Sequence, residues 1–247
     1  MQSASFNGDC YLLVNGGYFY NGNHTGIAVI NSIKSGSVSA VRGSLKTSDT
    51  EYNSMYNVTR GTFGVDASGK PNVVWTGTDA SNNVFYFDRP LPSVKGENKY
   101  GIVTNENPTT AINWSPKYAL SAGPVLLKDK KIPFDFTETS KGTDYYLSNY
   151  EIIPYDIFGA NVTPDRTAIG YREDGKVVIF ICDGRITASG GATLTELAQI
   201  MKGLGCVGAI NLDGGGSTGM VVGDEHLNDM TGGNRAVVST IGFFKKN

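Results

Sequence analysis

Short apolar runs separated by clusters of Gly, Asn, Ser and Pro dominate the first half of the chain. Residues 11–14, 26–30, 62–65, 73–75, 84–87 and 125–127 are each strand-length and bounded by turn formers. That pattern predicts antiparallel strands joined by loops. Residues 81–83 and 96–98 read as loop tips, and the polar, Tyr-rich stretch 134–149 reads as a surface excursion. The second half changes character. Residues 176–182 are apolar at nearly every position, which predicts a strand covered on both faces. Thr193-Leu-Thr-Glu196 then has the form of a capping box, in which Ser or Thr and a Glu three residues later satisfy each other's backbone N–H groups. Leu194, Leu197, Ala198 and Met201 follow at helical spacing, so one face of a helix is apolar. Gly203 and Gly205 stop it, and residues 207–212 read as the next strand.

A strand–helix–strand unit joins parallel strands, nearly always with a right-handed crossover. The expected fold class is therefore α+β: a mixed, largely antiparallel β-sheet with a strand–helix–strand unit near the C-terminus carrying the site. The length of 247 residues fits a single domain over 1–247. No internal repeat and no long linker is expected.

Composition narrows the class of function. Charged residues make up 18% of the chain, below the usual ~25%. Net charge is −2 and no basic run stands out, which argues against nucleic acid or an anionic membrane as partner. No apolar run approaches the ~20 residues of a membrane span. Thirty-two Gly and 13 Tyr in a weakly charged chain suggest a β-rich protein outside the cytoplasm, periplasmic, secreted or at the cell surface. Met1-Gln-Ser-Ala-Ser5 has neither the basic nor the apolar segment of a signal peptide. Cys10, Cys182 and Cys206 are odd in number and lack C-x-x-C spacing, so no disulfide framework is expected.

The two predicted parallel strands deliver two carboxylates to one sheet edge, at Asp183-Gly184-Arg185 and Asp213-Gly214-Gly215. Adjacent strands would place those carboxyl groups ~5–10 Å apart, a range that includes both geometries of paired-carboxylate glycosidases. Asp183 and Asp213 are thus candidates for acid and base, for nucleophile and base, or for two ligands of a divalent cation. The competing reading is two Asp-Gly turns whose side chains cap local N–H groups. Gly214, Gly215 and Gly216 are followed by Ser217 and Thr218, a composition that suits an oxyanion cradle of backbone N–H groups or a hairpin turn. Gly215-Gly-Ser-Thr-Gly219 also matches G-x-S-x-G, but that motif needs a helix after the serine and residues 220–222 read as a strand. No Walker A lysine and no zinc-ligand spacing is present. Arg166 opens the strand before residues 176–182, where it can grip a phosphate or pair with Asp165. Glu196 is assigned to the cap. The Asn15 amide, beside Gly16 and Gly17, faces either a ligand or a turn.

Together these segments resemble the phosphodiester glycosidase family. The resemblance rests on Asn15-Gly-Gly-Tyr-Phe19, Ser121-Ala-Gly-Pro-Val-Leu-Leu127, Asp165-Arg-Thr-Ala-Ile-Gly170, Val178-Ile-Phe-Ile-Cys-Asp-Gly-Arg185, Gly191-Ala-Thr-Leu-Thr-Glu-Leu197 and Ala209-Ile-Asn-Leu-Asp-Gly-Gly-Gly-Ser217, in family order. It implies hydrolysis of sugar-1-phosphodiesters at the anomeric C–O bond, releasing free sugar and a phosphate monoester. It implies Asp213 or Asp183 as nucleophile or base. Arg166 and the N–H groups of residues 214–217 would hold the phosphate, and Arg235 would stand near it. The family's usual strands upstream of Asn15 are expected to be missing here. The implied partner is a small glycosyl phosphodiester or phosphoglycan, in a bacterial setting. No cofactor is expected, though a divalent cation stays open. Two rival readings are a noncatalytic glycan-binding module using Tyr18, Tyr20, Trp75 and Trp114, and a metal-dependent phosphodiesterase that cleaves P–O bonds.

Overall fold

A computed structural model of the chain describes residues 10–44, 47–96, 111–136, 145–146, 150–151, 162–229 and 235–245. Each apolar run of the first half forms a strand: Cys10–Asn15, Ile27–Ile30, Arg60–Asp66, Pro71–Thr78, Val84–Phe87 and Val125–Leu127. The loop tip at 81–83 is a turn, with Asn82 at positive φ. Most of the loop tip at 96–98 and of the excursion at 134–149 lies outside the described residues.

The α+β expectation is overturned: the fold is mainly β. Among the described residues there is a single α-helix, Leu194–Gly203. Strand pairs are antiparallel throughout except Phe134–Asp135 with Tyr145–Tyr146. The physical reason is that, among the described residues, one stretch sustains a 3.6-residue apolar period while the others alternate or run as short strands. The helix itself forms as its sequence demands. Thr193 Oγ1 accepts from Glu196 N at 3.1 Å, and Glu196 Oε2 accepts from Thr193 N at 2.8 Å. Leu194, Leu197, Ala198 and Met201 are fully buried, and Gly205 takes the left-handed conformation past the end.

Three sheets organise the rest. The largest orders its strands Val84–Phe87, Pro71–Thr78, Arg60–Asp66, Pro116–Ser121, Ile27–Ile30 and Ile33–Gly36. The second, which carries the site, orders Val125–Leu127, Cys206–Asn211, Arg166–Arg172 and Val177–Cys182. The third centres on Cys10–Asn15 between Met220–Val222 and Thr240–Phe244. One apolar cluster joins the first two sheets and the helix, with Phe63, Val73 and Trp75 meeting Ile169, Ile210 and Leu197.

The two strands of the strand–helix–strand unit do run parallel, since both are antiparallel to Arg166–Arg172. That strand lies between them. Asp183 and Asp213 therefore leave the same edge two strand spacings apart, roughly 10 Å along the sheet. Val177–Cys182 is an edge strand whose residues are all half-buried, not the doubly covered strand its composition suggests.

The chain also contains an internal repeat that the sequence reading did not anticipate. The hairpins Arg60–Asp66/Pro71–Thr78 and Arg166–Arg172/Val177–Cys182 share one register. Arg60 pairs with Thr76 and Gly64 with Asn72; at the same offset Arg166 pairs with Cys182 and Gly170 with Val178. Their turns match as well: Gly69 N donates to Asp66 O at 3.0 Å, and Gly175 N to Arg172 O at 2.9 Å. Each hairpin takes the same third strand. Leu120 pairs with Phe63 as Ile210 pairs with Ile169, and both third strands continue with a 2.8 Å bond, from Ala122 N to Gly61 O and from Leu212 N to Thr167 O. By this correspondence Gly123 occupies the position of Asp213.

Candidate active site

Asp213 follows Cys206–Asn211 and ends that strand at the floor of a cleft of about 840 Å³. The residue is 9% exposed, with Oδ1 accepting from Gly214 N at 2.9 Å. Burial pushes its pKa up to about 6; the Ser217 hydroxyl, the Gly214 N–H and the Arg235 charge pull the other way. Although it lies close enough for that effect, Ser217 Oγ is buried and completes no hydrogen bond.

The remainder of the cleft is strongly cationic. Arg42, Arg60, Arg185 and Arg235 line it, and among the described residues Asp213 is the one acidic group in its lining. Arg235 sits over the Phe19 ring at 5.2 Å. Arg185 is 60% exposed and its Nη2 lies 3.4 Å from the buried Asp165 carboxylate. It holds φ +60, a conformation that costs a non-glycine residue energy and that the surrounding structure must hold in place. Gly215 is at φ +57, and a Cβ there would sit 3.0 Å from Arg185 Nη2. Glycine thus lets the guanidinium lie against the loop backbone.

Asn15 is wholly buried and holds this loop in place. Its Nδ2 donates to Asp213 O at 2.7 Å and Gly16 O at 3.3 Å; its Oδ1 accepts from Thr167 Oγ1 at 2.7 Å and Gly219 N at 3.1 Å. All its capacity is spent, so it shapes the site from behind. Thr218 Oγ1 lies 3.4 Å from Thr167 Oγ1 in the same buried network. The resemblance implies that the N–H groups of residues 214–217 surround a ligand. In the structure Gly215 N donates to Asp165 O and Ser217 N to Gly214 O, while Gly214 N serves Asp213. Gly216 N makes no hydrogen bond with a described residue.

Arg166 is 1% exposed and does not line the cleft. Its Nε donates to Ala192 O at 2.8 Å and its Nη2 to Val162 O at 3.1 Å, tying the helix entry to the strand. Asp183 also stays outside the cleft lining. Its Oδ2 accepts from Asp229 N at 3.3 Å and its Oδ1 is buried without a partner. Of the sequence candidates, the cleft therefore gathers Asp213, Gly214, Gly215, Gly216 and Arg235.

Several cleft residues escaped the sequence reading. Arg185 was visible only as the end of Asp183-Gly-Arg, and Arg60 only by its likeness to Arg166. Tyr18, named from the sequence only as a sugar-stacking ring, does stand at the cleft, its hydroxyl donating to Gly123 O at 2.8 Å and accepting from Asn211 Nδ2 at 2.7 Å. Burial pushes that phenol far above its ordinary pKa. His24 Nδ1 accepts from Gly26 N at 3.2 Å, and burial lowers its pKa. Trp75, offered as a sugar platform, is in the core at 1% exposure. Among the described residues no group of three His, Cys, Asp or Glu is placed to hold a metal ion.

The profile of the phosphodiester glycosidase family matches residues 8–244. This chain belongs to that family, whose characterised relatives are glycosidase-type hydrolases. It is 42% identical over 82 residues to the SPbeta prophage-derived uncharacterized protein YomE of Bacillus subtilis, covering 33% of this chain and 13% of that one. It is 42% identical over 62 residues to the mouse N-acetylglucosamine-1-phosphodiester alpha-N-acetylglucosaminidase, covering 25% of this chain and 12% of the mouse protein. The catalytic domain of the zebrafish enzyme of that name, auto-inhibited by its pro-peptide, superposes with a TM-score of 0.57 at 19% identity. That superposition covers 96% of this chain and 64% of the zebrafish one. In all three cases the match spans less than two thirds of the relative's length.

Proposed function

We propose that the protein hydrolyses the glycosidic bond of sugar-1-phosphodiesters, releasing free sugar and a phosphate monoester. The observation that carries this reading is one buried carboxylate, Asp213, in a cleft whose other charged residues, among those described, are all arginines. A phosphodiester bound there has its charge matched by Arg60, Arg185 and Arg235. Its anomeric carbon then faces Asp213.

As the C–O bond breaks, its electron pair leaves on the phosphate oxygen, and the arginines stabilise that charge as it grows. A phosphate leaving group needs no proton, so a second carboxylate acting as acid is dispensable. This suits a cleft that Asp183 does not enter. Asp213 attacks the anomeric carbon itself or takes the proton of an attacking water, and either route ends with water's oxygen on the sugar. The weakly charged, Gly- and Tyr-rich composition supports a place outside the cytoplasm.

Incubation with a panel of sugar-1-phosphodiesters, with and without EDTA, tests the reading. Free sugar released equally in both arms supports it. Release abolished by EDTA would turn the site into a metal-dependent one. Glycan binding with no release on any substrate would make it a binding module.

A further inference from the structure

The internal repeat sets two buried arginines in equivalent places, and the two have opposite fates. Arg166 opens its strand with two N–H groups bound to backbone carbonyls. Arg60 opens the matching strand at 5% exposure, and its side chain makes no hydrogen bond or ion pair with a described residue. Its Nε and Nη1 are buried without partners. Its guanidinium lies over the Tyr18 ring at 5.7 Å, which holds the plane while leaving the N–H edges unspent. Unlike Arg166, it lines the cleft.

The carboxylate near it is already committed. Gly123 stands where the other repeat has Asp213, and the space a side chain would fill there is taken by Glu151 Oε1, reaching in from elsewhere in the chain. Glu151 Oε1 accepts from Gly61 N at 2.6 Å, and its Oε2 accepts from Trp75 Nε1 at 3.1 Å and Val125 N at 3.3 Å. Each repeat thus has one carboxylate and one arginine near its third strand, with roles exchanged. In the second the carboxylate faces the cleft and the arginine is structural; in the first the carboxylate is structural and the arginine faces the cleft. A buried guanidinium left unpaired destabilises a fold, and a cleft-lining one finds its partner in a bound anion.

We infer that Arg60 is the buried oxyanion seat of the cleft, gripping the non-bridging phosphate oxygens of the substrate while Arg185 and Arg235 close over them from the rim. This rests on the phosphodiester reading and adds a residue that decides phosphate binding. The seat suits a phosphate oxyanion: the guanidinium carries its charge at every working pH and lies against the Tyr18 ring at the cleft wall, where a Lys would place a more strongly hydrated point charge on a flexible stem.

The test is calorimetric titration of the full chain with inorganic phosphate, with glucuronate as a carboxylate control, for wild type, Arg60→Gln, Arg60→Lys and Arg166→Gln. Loss of charge-assisted bonds weakens phosphate binding at least about tenfold in Arg60→Gln, with a smaller loss in Arg60→Lys. The melting temperature of Arg60→Gln does not fall below that of wild type, whereas that of Arg166→Gln falls. Unchanged phosphate affinity in a folded Arg60→Gln overturns the inference, as does a glucuronate affinity matching that of phosphate. If Arg60→Gln fails to fold, Arg60→Lys decides: affinity equal to wild type overturns the guanidinium's role. Because binding is read without turnover, Arg60-dependent phosphate binding in a protein that cleaves no sugar phosphodiester would sink the glycosidase reading and leave this one standing.

Discussion

Replacing Asp213 with Asn should make the folded protein more stable, and by an amount that depends on pH. Burial lifts the Asp213 carboxyl from 3.8 to about 6, so the native state holds its proton more tightly than the unfolded chain does. Between those two values the unfolded state binds fewer protons, and stability falls as pH rises through this window. Below about pH 4 the carboxyl is neutral in both states and nothing is lost. Above about pH 6 the full cost of a buried charge is present. A displacement of roughly two pKa units at about 1.36 kcal/mol each gives up to about 3 kcal/mol. Asn keeps the shape and can still accept from Gly214 N while removing the charge. For a chain of this length that corresponds to a rise of roughly 6–12 °C in melting temperature at neutral pH. Scanning calorimetry of wild type and Asp213→Asn at about pH 7.5 and about pH 4 reads it directly. A gain at neutral pH that vanishes in acid confirms the electrostatic origin. An equal gain at both pH values, or none at pH 7.5, would refute the argument that this carboxylate is held ionised against its surroundings.

Three further outcomes follow from the same structure. If Asp213 must be ionised to act, kcat/KM on a sugar phosphodiester falls on the acid side with a limb near pH 6; a limb near the ordinary carboxylate value of about 4 contradicts that role. Asn15→Leu removes the bonds to Asp213 O, Gly16 O, Thr167 Oγ1 and Gly219 N. At about 1 kcal/mol each this lowers stability by about 3–4 kcal/mol, and an unchanged denaturant midpoint would exclude the clamp. Thr193→Ala opens the capping box and costs about 1 kcal/mol, visible as a small loss in melting temperature with activity retained in the folded protein.

What the sequence disclosed and what it withheld divide along the range of the interactions involved. The helix was legible to the residue because its cap and apolar stripe are local: Thr193, Glu196 and Leu194 through Met201 carry the whole signal. Strands were legible as runs, but their neighbours were not, since pairing is a long-range choice. Hence Arg166–Arg172 came as an insertion between the two parallel strands, and it separated the carboxylates expected to act together. One clear helix also weighed too heavily in the expectation of an α+β fold. Gly214, Gly215 and Gly216 line the cleft, yet the N–H groups of Gly214 and Gly215 are spent on Asp213 and Asp165. Arg-x-x-x-Gly-x-x-x-x-Gly-Lys stands at both Arg60 and Arg166. That repetition was in plain view and would have pointed to Arg60. Burial, by contrast, is invisible in a lone arginine, and only the fold separates the structural member of the pair from the cleft member.

The position of bond cleavage tests the central claim most directly. Turnover of a sugar-1-phosphodiester in oxygen-18 water, followed by mass spectrometry of both products, shows which atom water attacks. Attack at the anomeric carbon puts the label in the free sugar and none in the phosphate monoester, as a glycosidase built on Asp213 requires. Label in the phosphate instead would mean P–O cleavage, and the account of this cleft would be wrong.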